Sequence, residues 1–571
     1  MKIQESGIRS QESGFRTCVA HQITRLPESR ILNPGFIMKL EDFQLELTLL
    51  PNAMPVWHGR VDARQWRMAC QQVRDKGGKL VALWASDNSD RGEAFSVHAA
   101  LTVQSGLLVI TLPLDGESFP DVSDILPGSI RMQRAVYDLF GVHAGNAADQ
   151  RKWLRHAAWP ADVFPLRKDT SFQFPVSSFQ LYSKPGAQLA TRNSQLETGQ
   201  ADDYPFVRVE GEGVHEIPVG PVHAGTIEPG HFRFSIVGEG VLRLEERLGY
   251  KHKGIEKRFE SMTLAEGARL AGRVSGDSTV AYAWAYAMAV EGVTEVTPPP
   301  RALWLRALLL ERERIGQHLW DLGFLGSDAG LAFGLAQFSR LREDWLRVSQ
   351  SLFGHRYLMD TIVPGGVARD IDAQGVGRMR SEISDLGKAV ALLKNIYDDH
   401  AGLQDRFIAC GRVKPDLADR MGLTGLAGRA SGMAWDLRAQ FPPVPYDNFD
   451  VRMATHRNGD VAARVTVRFE EIAESLRLIG LILTGLPAGD IIAPVPDAPE
   501  NAFGIGWVEG WRGEVLIALE TGAGNRIRRL HPHDPSWQNW PLLERAVLGN
   551  IVPDFPLINK SFNLSYSGHD L

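Results

Sequence analysis

Cysteine is nearly absent. Cys18, Cys70 and Cys410 are the only three in 571 residues, and no two of them form a C-x-x-C pair. This excludes a disulfide framework and a self-contained zinc or iron–sulfur site, and it suits an intracellular chain. Long apolar runs are missing as well. The densest, residues 279–290 and 476–486, are too short or too interrupted for a bilayer span, which takes about 18 or more residues. Attachment to a membrane is therefore expected through partners. Excess charge is also lacking: the formal net charge is −6, which gives no reason to expect nucleic-acid binding. The N-terminus has no apolar signal core. It carries instead a near-duplicate, QESGIRS then QESGFRT. Residues 1–38 read as a disordered extension in which Met38 is an alternative start.

The chain is long enough for roughly two to four domains of about 150 residues and a sizeable core. Apolar residues at 44% and charged residues at 23% are ordinary for a globular protein. Residues 39–169 mix strand-like alternation (KLEDFQLELTLL, LLVITLPL) with a helical stretch stopped by glycine (DARQWRMACQQVRDKGG), and read as a small α+β domain. Residues 170–205 are rich in Ser, Gln, Thr and Asp and read as a linker. Residues 206–571 open with strands around Gly and Pro turns. From residue 263 to about 486, Ala, Leu and Arg recur at helical spacing. The expected fold is therefore α+β, a small α+β N-terminal domain followed by a mainly helical domain with small β elements.

One helix carries a charge pattern. Three prolines precede Arg301 and favour a helix start, after which Glu311, Arg314, His318 and Asp321 follow at steps of three, four and three. At 100° per residue they fall within about 80° of one another on one face. A solvated stripe of i,i+3 and i,i+4 pairs would give this spacing. The leucines and tryptophans around it favour a buried ionic row, which is costly unless it relays protons or locks an interface.

Two short pairs frame the second domain: Ser275 and Ser278 in RVSGDS, and Ser565 and Gly568 in LSYSGHDL. Around them stand HKGIEK with Glu256, LLLERERIGQHLWDLG, PGGV, WRGE and DPSWQNWPLL. Together these blocks resemble the large subunit of [NiFe] hydrogenases and of respiratory complex I, and in particular the fused large subunit of formate hydrogenlyase-type, energy-converting hydrogenases. The N-terminal domain resembles complex I's small hydrophilic subunit through FPDVSDI, QRAVYDLFG and FPLRKD. There Gln133 stands for the family's Glu and Phe164 for its His. The charges of these motifs read first as pins of a turn at an interface, because no nucleophile–base or metal spacing accompanies them.

The resemblance implies four thiolates holding nickel and iron at the two pairs. Here Ser275, Ser278, Ser565 and Gly568 stand in those places, and a serine hydroxyl is no substitute for a soft sulfur ligand. No nickel and no other metal is expected on this chain. The three serines are expected to line a vacated polar cavity, with Glu256 at its edge and its carboxyl raised by burial. His231, Asp277 and Arg273 are the further candidate catalytic residues, Glu291 an additional polar wall, and the helix row a relay. Complex I's tyrosine falls on Gly276, and its T-H-G hairpin is replaced by Thr226, Ile227, Glu228, Pro229 and Gly230. Tyr282 and Tyr286 read as core.

The implied function is that of a peripheral-arm subunit on the cytoplasmic side of the inner membrane. It would couple electrons from a [4Fe–4S] cluster in a small iron–sulfur subunit to a quinone or unknown acceptor and to ion or proton translocation. A ferredoxin-like subunit and integral subunits of an antiporter-like arm complete the expected partners. The alternative is a non-catalytic scaffold that transmits conformational change, favoured if the core between the serine pairs is packed. A working hydrogenase is all but excluded by the missing thiolates.

Overall fold

The computed structural model describes residues 45–156, 159–160, 162–170, 204–223, 227–260 and 262–571, with Phe43 and the backbone of Ile37–Leu40. Residues 1–36 of the expected extension and 171–203 of the expected linker lie outside the described residues.

The N-terminal module is built on a six-stranded sheet of order β1-β2-β3-β6-β5-β4. Its strands are β1 (Ile37–Leu40), β2 (Leu45–Leu49), β3 (Val56–Arg60), β4 (Leu80–Asp87), β5 (Phe95–Val103) and β6 (Gly106–Pro113). The alternation of LELTL does what its period dictates: Leu45, Leu47 and Leu49 are buried and the residues between them exposed. Helix α1 (Ala63–Asp75) is the glycine-stopped helical stretch. Asp62 caps it, and Gln65 reaches back to the Asp62 backbone. Between β3 and β6 the pairing is parallel; the other neighbours in this sheet run antiparallel. Helix α2 (Ile130–Phe140) packs against β4.

The motif charges pin turns, as expected. Asp138 accepts from the backbone of Trp153 and Leu154 at 2.6 and 2.7 Å. Arg134 binds the carbonyls of Arg151 and Lys152. Lys168 reaches the second module, donating to the Arg528 carbonyl at 2.9 Å and pairing with Glu260 at 3.2 Å.

The second module opens with an antiparallel sheet of β9 (Val214–Val219), β10 (His231–Val237) and β11 (Gly240–Arg247), the short strands β7 (Ser118–Pro120) and β8 (His143–Gly145) lying before it. Its helices begin with α3 (Ile255–Phe259), α4 (Leu264–Ala271), α5 (Thr279–Thr294), α6 (Pro300–Asp328) and α7 (Ala332–Phe353). Next come α8 (Ala373–Asp399) and, after short helical turns, α9 (Val461–Gly485). A second antiparallel sheet, β14 (Phe503–Glu509), β15 (Glu514–Gly522) and β16 (Arg526–His533), is followed by α10 (Ser536–Ala546), α11 (Phe555–Phe562) and α12 (Tyr566–Asp570); the two-residue strands β12 (Ile362–Val363) and β13 (Gly366–Val367) precede it.

Every residue of α5 is buried, which explains its apolar composition all round. Its alanines let it lie close on β14, where a Cβ on Gly506 would stand 1.7 Å from the Ala285 carbonyl oxygen. Helix α6 is likewise enclosed, so the ionic row is a core feature rather than a solvated stripe: Glu311, Arg314, His318 and Asp321 are each 0% exposed. One hydrophobic cluster runs through both modules. Among the described residues no helix is long and apolar enough to cross a membrane.

Candidate functional site

The two short pairs meet. Ser275 lies in the loop before α5 and Ser565 caps α12, accepting from the Gly568 N–H at 2.8 Å. Their hydroxyl oxygens are 2.9 Å apart, in direct hydrogen-bond contact. Ser275 also donates to Asp277 at 2.8 Å. Arg512, from the turn between β14 and β15, pairs with both oxygens of Asp277 and donates to the Ser278 hydroxyl at 3.2 Å. Trp511 beside it donates to the Asp277 carbonyl at 2.8 Å.

The fourth position has no side chain, and its space is taken: a Cβ built on Gly568 would stand 2.3 Å from Oδ2 of Asp534. That same oxygen accepts from the Tyr282 hydroxyl at 2.9 Å, so Tyr282 is a core residue with a satisfied hydroxyl. A nickel–iron centre does not fit this donor set. Two hydroxyls are bonded to each other, a third faces a guanidinium, and a carboxylate fills the last place. The expected cavity between the serines is closed at its centre by these contacts. Burial pushes the Asp277 carboxyl up, and Arg512 and the Ser275 hydroxyl outweigh it and hold it below the usual range.

Glu256 differs from expectation. It lies in α3, receives Arg529 at 2.8 Å and His531 at 2.8 Å, both from β16, and makes no hydrogen bond to the serine pairs. Burial alone would raise its carboxyl; Arg529 and His531 overcome that and hold it at about 2. At neutral pH it is a fixed anion.

Other candidates disperse. Arg273 turns to the surface and pairs with Asp360 at 2.7 Å. His231 begins β10 and contacts the Gly220 carbonyl at 3.1 Å. Glu228 accepts from the Ser567 N–H at 3.0 Å; Thr226 lies outside the described residues. Glu291 pairs with Arg306 at the far end of α5, about 20 Å from Ser278 at 1.5 Å per residue. There a cavity of about 390 Å³ opens between residues 51–55, the α5–α6 connection and residues 440–447. It is mostly apolar and not part of the serine site.

The α6 row belongs to a buried ionic network. His318 Nε2 lies 2.8 Å from Glu471, and Arg429 binds Glu471 and Glu509, each at 2.8 Å. Arg438 joins Glu311 to Asp436 at 2.9 and 2.7 Å. Asp321 holds Arg468 at 2.8 Å and Asn563 at 2.7 Å, and the Asn563 carbonyl accepts from Arg512 at 2.5 Å. The network thus reaches from the helix row to the serine site.

Sequence reasoning did not single out Arg512, Asp534, Glu471 or Glu313, although the first two lie within WRGE and DPSWQNW. Glu313 closes the start of α5, accepting from the N–H groups of Val280 and Ala281 at 2.7 and 3.2 Å. Burial pushes its carboxyl up to about 8 against those hydrogen bonds.

A small α+β module joined through one core to a helical module, with a loop pair and a terminal pair brought face to face, defines the large-subunit class of complex-I-like oxidoreductases. Residues 60–176 match the family of the respiratory-chain NADH dehydrogenase 30 Kd subunit, and residues 328–502 that of its 49 Kd subunit. Formate hydrogenlyase subunit 5 of Escherichia coli (strain K12) is 29% identical over 87% of this chain and 85% of its own length. Hydrogenase-4 component G of the same organism is 30% identical over 86% and 84%. A solved chain of the membrane-bound sulfane sulfur reductase, an archaeal respiratory membrane complex, superposes with a TM-score of 0.60 at 25% identity, covering 63% of this chain and 99% of that one. The chain belongs to the family of fused 30 Kd and 49 Kd subunits shared by complex I and the hydrogenase-4 and formate hydrogenlyase complexes.

Proposed function

We propose that this chain is a peripheral-arm subunit of an energy-converting membrane oxidoreductase that works without nickel. It takes electrons from a [4Fe–4S] cluster in an adjacent small subunit and delivers them, with protons, to an acceptor other than the proton. The acceptor is a quinone or a reducible compound such as the sulfane sulfur named for the archaeal relative. A ferredoxin-like subunit and the integral subunits of an antiporter-like arm supply electrons and ion translocation, and hold the chain on the cytoplasmic face of the inner membrane. The carrying observation is the serine site itself, where three hydroxyls and the Asp534 carboxylate occupy the four ligand places and Arg512, which binds Ser278 and Asp277, connects them to a buried ionic network through Asn563. Preorganised charge of this kind suits proton-coupled chemistry in a water-poor site.

The 2.9 Å contact of Ser275 with Ser565 favours a second reading, a scaffold that transmits conformational change. Intact complex purified from the membrane separates the two. Elemental analysis is expected to find no stoichiometric nickel, and the complex to reduce a short-chain quinone or polysulfide without evolving hydrogen. Asp277→Asn keeps the shape but removes the counter-charge of Arg512. It should abolish acceptor reduction if the site is active; unchanged turnover in an assembled complex selects the scaffold.

A further inference from the structure

We propose that Glu313, rather than Glu256, is the carboxyl that holds the exchangeable proton of this site. The inference rests on the proposal that protons are taken up there.

The argument starts from partners. A buried carboxylate stays ionised when a cation compensates it, and takes up a proton when none does. Around the serine site and α6 most other buried acids have a cation of their own; Asp534 has none bound but accepts from the Tyr282 hydroxyl and the Ser536 N–H in the field of Arg512, and Glu509 shares Arg429 with Glu471. Asp277 has Arg512, Glu311 has Arg438, Asp321 has Arg468, and Glu471 has Arg429. Glu256 has Arg529 and His531. Glu313 is 6% exposed and, among the described residues, forms no ion pair. Its charged neighbours are Asp277, which disfavours a second anion, and Arg314, which already faces Glu311 and Glu471.

Position supplies the second half. The carboxyl binds the first turn of α5, directly after Asp277 and Ser278, so it sits beneath the two positions that Arg512 clamps. When the proton leaves, the anion is met by two N–H donors and the positive end of a fully buried helix, which makes release reversible. Burial then sets its titration near 8, in reach of physiological pH.

The test is isotope-edited infrared titration of the intact complex. With 13C-labelled glutamate, the resting wild type should show a protonated-carboxyl C=O band that disappears with a midpoint near pH 8. Glu313→Gln, which keeps a carbonyl oxygen for both N–H groups, should lack that band, while Glu256→Gln should retain it. Should Glu313→Gln not assemble, Glu313→Asp keeps a carboxyl with a shorter reach and should move the midpoint. Burial and Asp436 also push the Glu509 carboxyl up, to about 7, so the titration is read on a Glu509→Gln background; there a band near pH 8 that survives unshifted in the Glu313 variants, or no glutamate band titrating between pH 6 and 10, overturns the assignment. The titration needs no turnover, so its failure can be told apart from failure of the proposed function. In complex that reduces an acceptor, the wild-type rate is expected to fall as pH rises through about 8, and Glu313→Gln should lower the rate and remove that fall; an unchanged rate and limb overturn the role in proton supply.

Discussion

Gly568 shows how closely the serine site is fitted around its own side chains. Because Asp534 stands where a Cβ would be placed, Gly568→Cys overpacks the site and should cost about 1–3 kcal/mol, read as a lowered thermal midpoint. Gly568→Cys with Asp534→Ala should recover most of that loss. Restoring cysteine at 275, 278, 565 and 568 while Asp534 and Arg512 remain should not restore nickel, as elemental analysis would report. Glu256 makes the complementary case. Its pair with Arg529 and His531 is buried, so Glu256→Gln strands a guanidinium and should destabilise by about 3–5 kcal/mol. Its carboxyl titrates at about 2 instead of 4.5. The stability it contributes is therefore present above pH 4.5 and lost as pH falls from 4.5 towards 2.

Helices α5 and α6 depend on each other at the level of the element. The first turn of α5 has no cap of its own, since the Ser278 side chain accepts no N–H there, and Glu313 of α6 supplies the missing acceptor. The consequence is a pH dependence of opposite sign to that of Glu256. With a folded value of about 8 against 4.5 unfolded, the folded state binds the extra proton between those limits. Stability should fall as pH rises from 4.5 to 8, by about 1.4 kcal/mol per unit. Denaturant unfolding of Glu313→Gln should show a flatter slope across that window and, above pH 8, a variant more stable than the wild type. Elsewhere on α6 the row is held by complete pairing. Arg438→Met leaves Glu311 and Asp436 without their shared cation, and should cost about 3–5 kcal/mol in the same measurement.

Across the whole molecule, the two modules share a polar and aromatic seam. The Trp84 ring of β4 is stacked between His531 of β16 and His98 of β5, at centroid distances of 5.3 and 5.1 Å. Beside it Ser86 donates to Glu520 at 2.6 Å, and Arg528 reaches Asp90 at 2.6 Å. Trp84→Ala removes the ring between the modules and should cost about 3–5 kcal/mol. If the modules fold as one unit, circular dichroism and tryptophan fluorescence should still report a single transition at the lower midpoint. The two fused modules thus form one packed unit.

Much of this architecture is legible in the residues. The period of LELTL, the stop after α1, the prolines before α6 and the buried quality of its charged row follow from local pattern. Positions 275, 278, 565 and 568 carry three serines and a glycine, so no thiolate stands at either pair. The pairing of Ser275 with Ser565 does not follow from local pattern, because 290 residues separate them and only the packing of α12 against the loop before α5 closes the distance. Nor does the role of each acid. Glu256 and Glu313 are chemically identical in the chain, and both are buried. Desolvation raises both; what divides them is that the fold brings Arg529 and His531 to the first and only backbone N–H groups to the second. Sequence determined which groups the site contains, and tertiary structure decided which of them keeps its charge, because compensation in a low-dielectric interior depends on distances that no local spacing encodes.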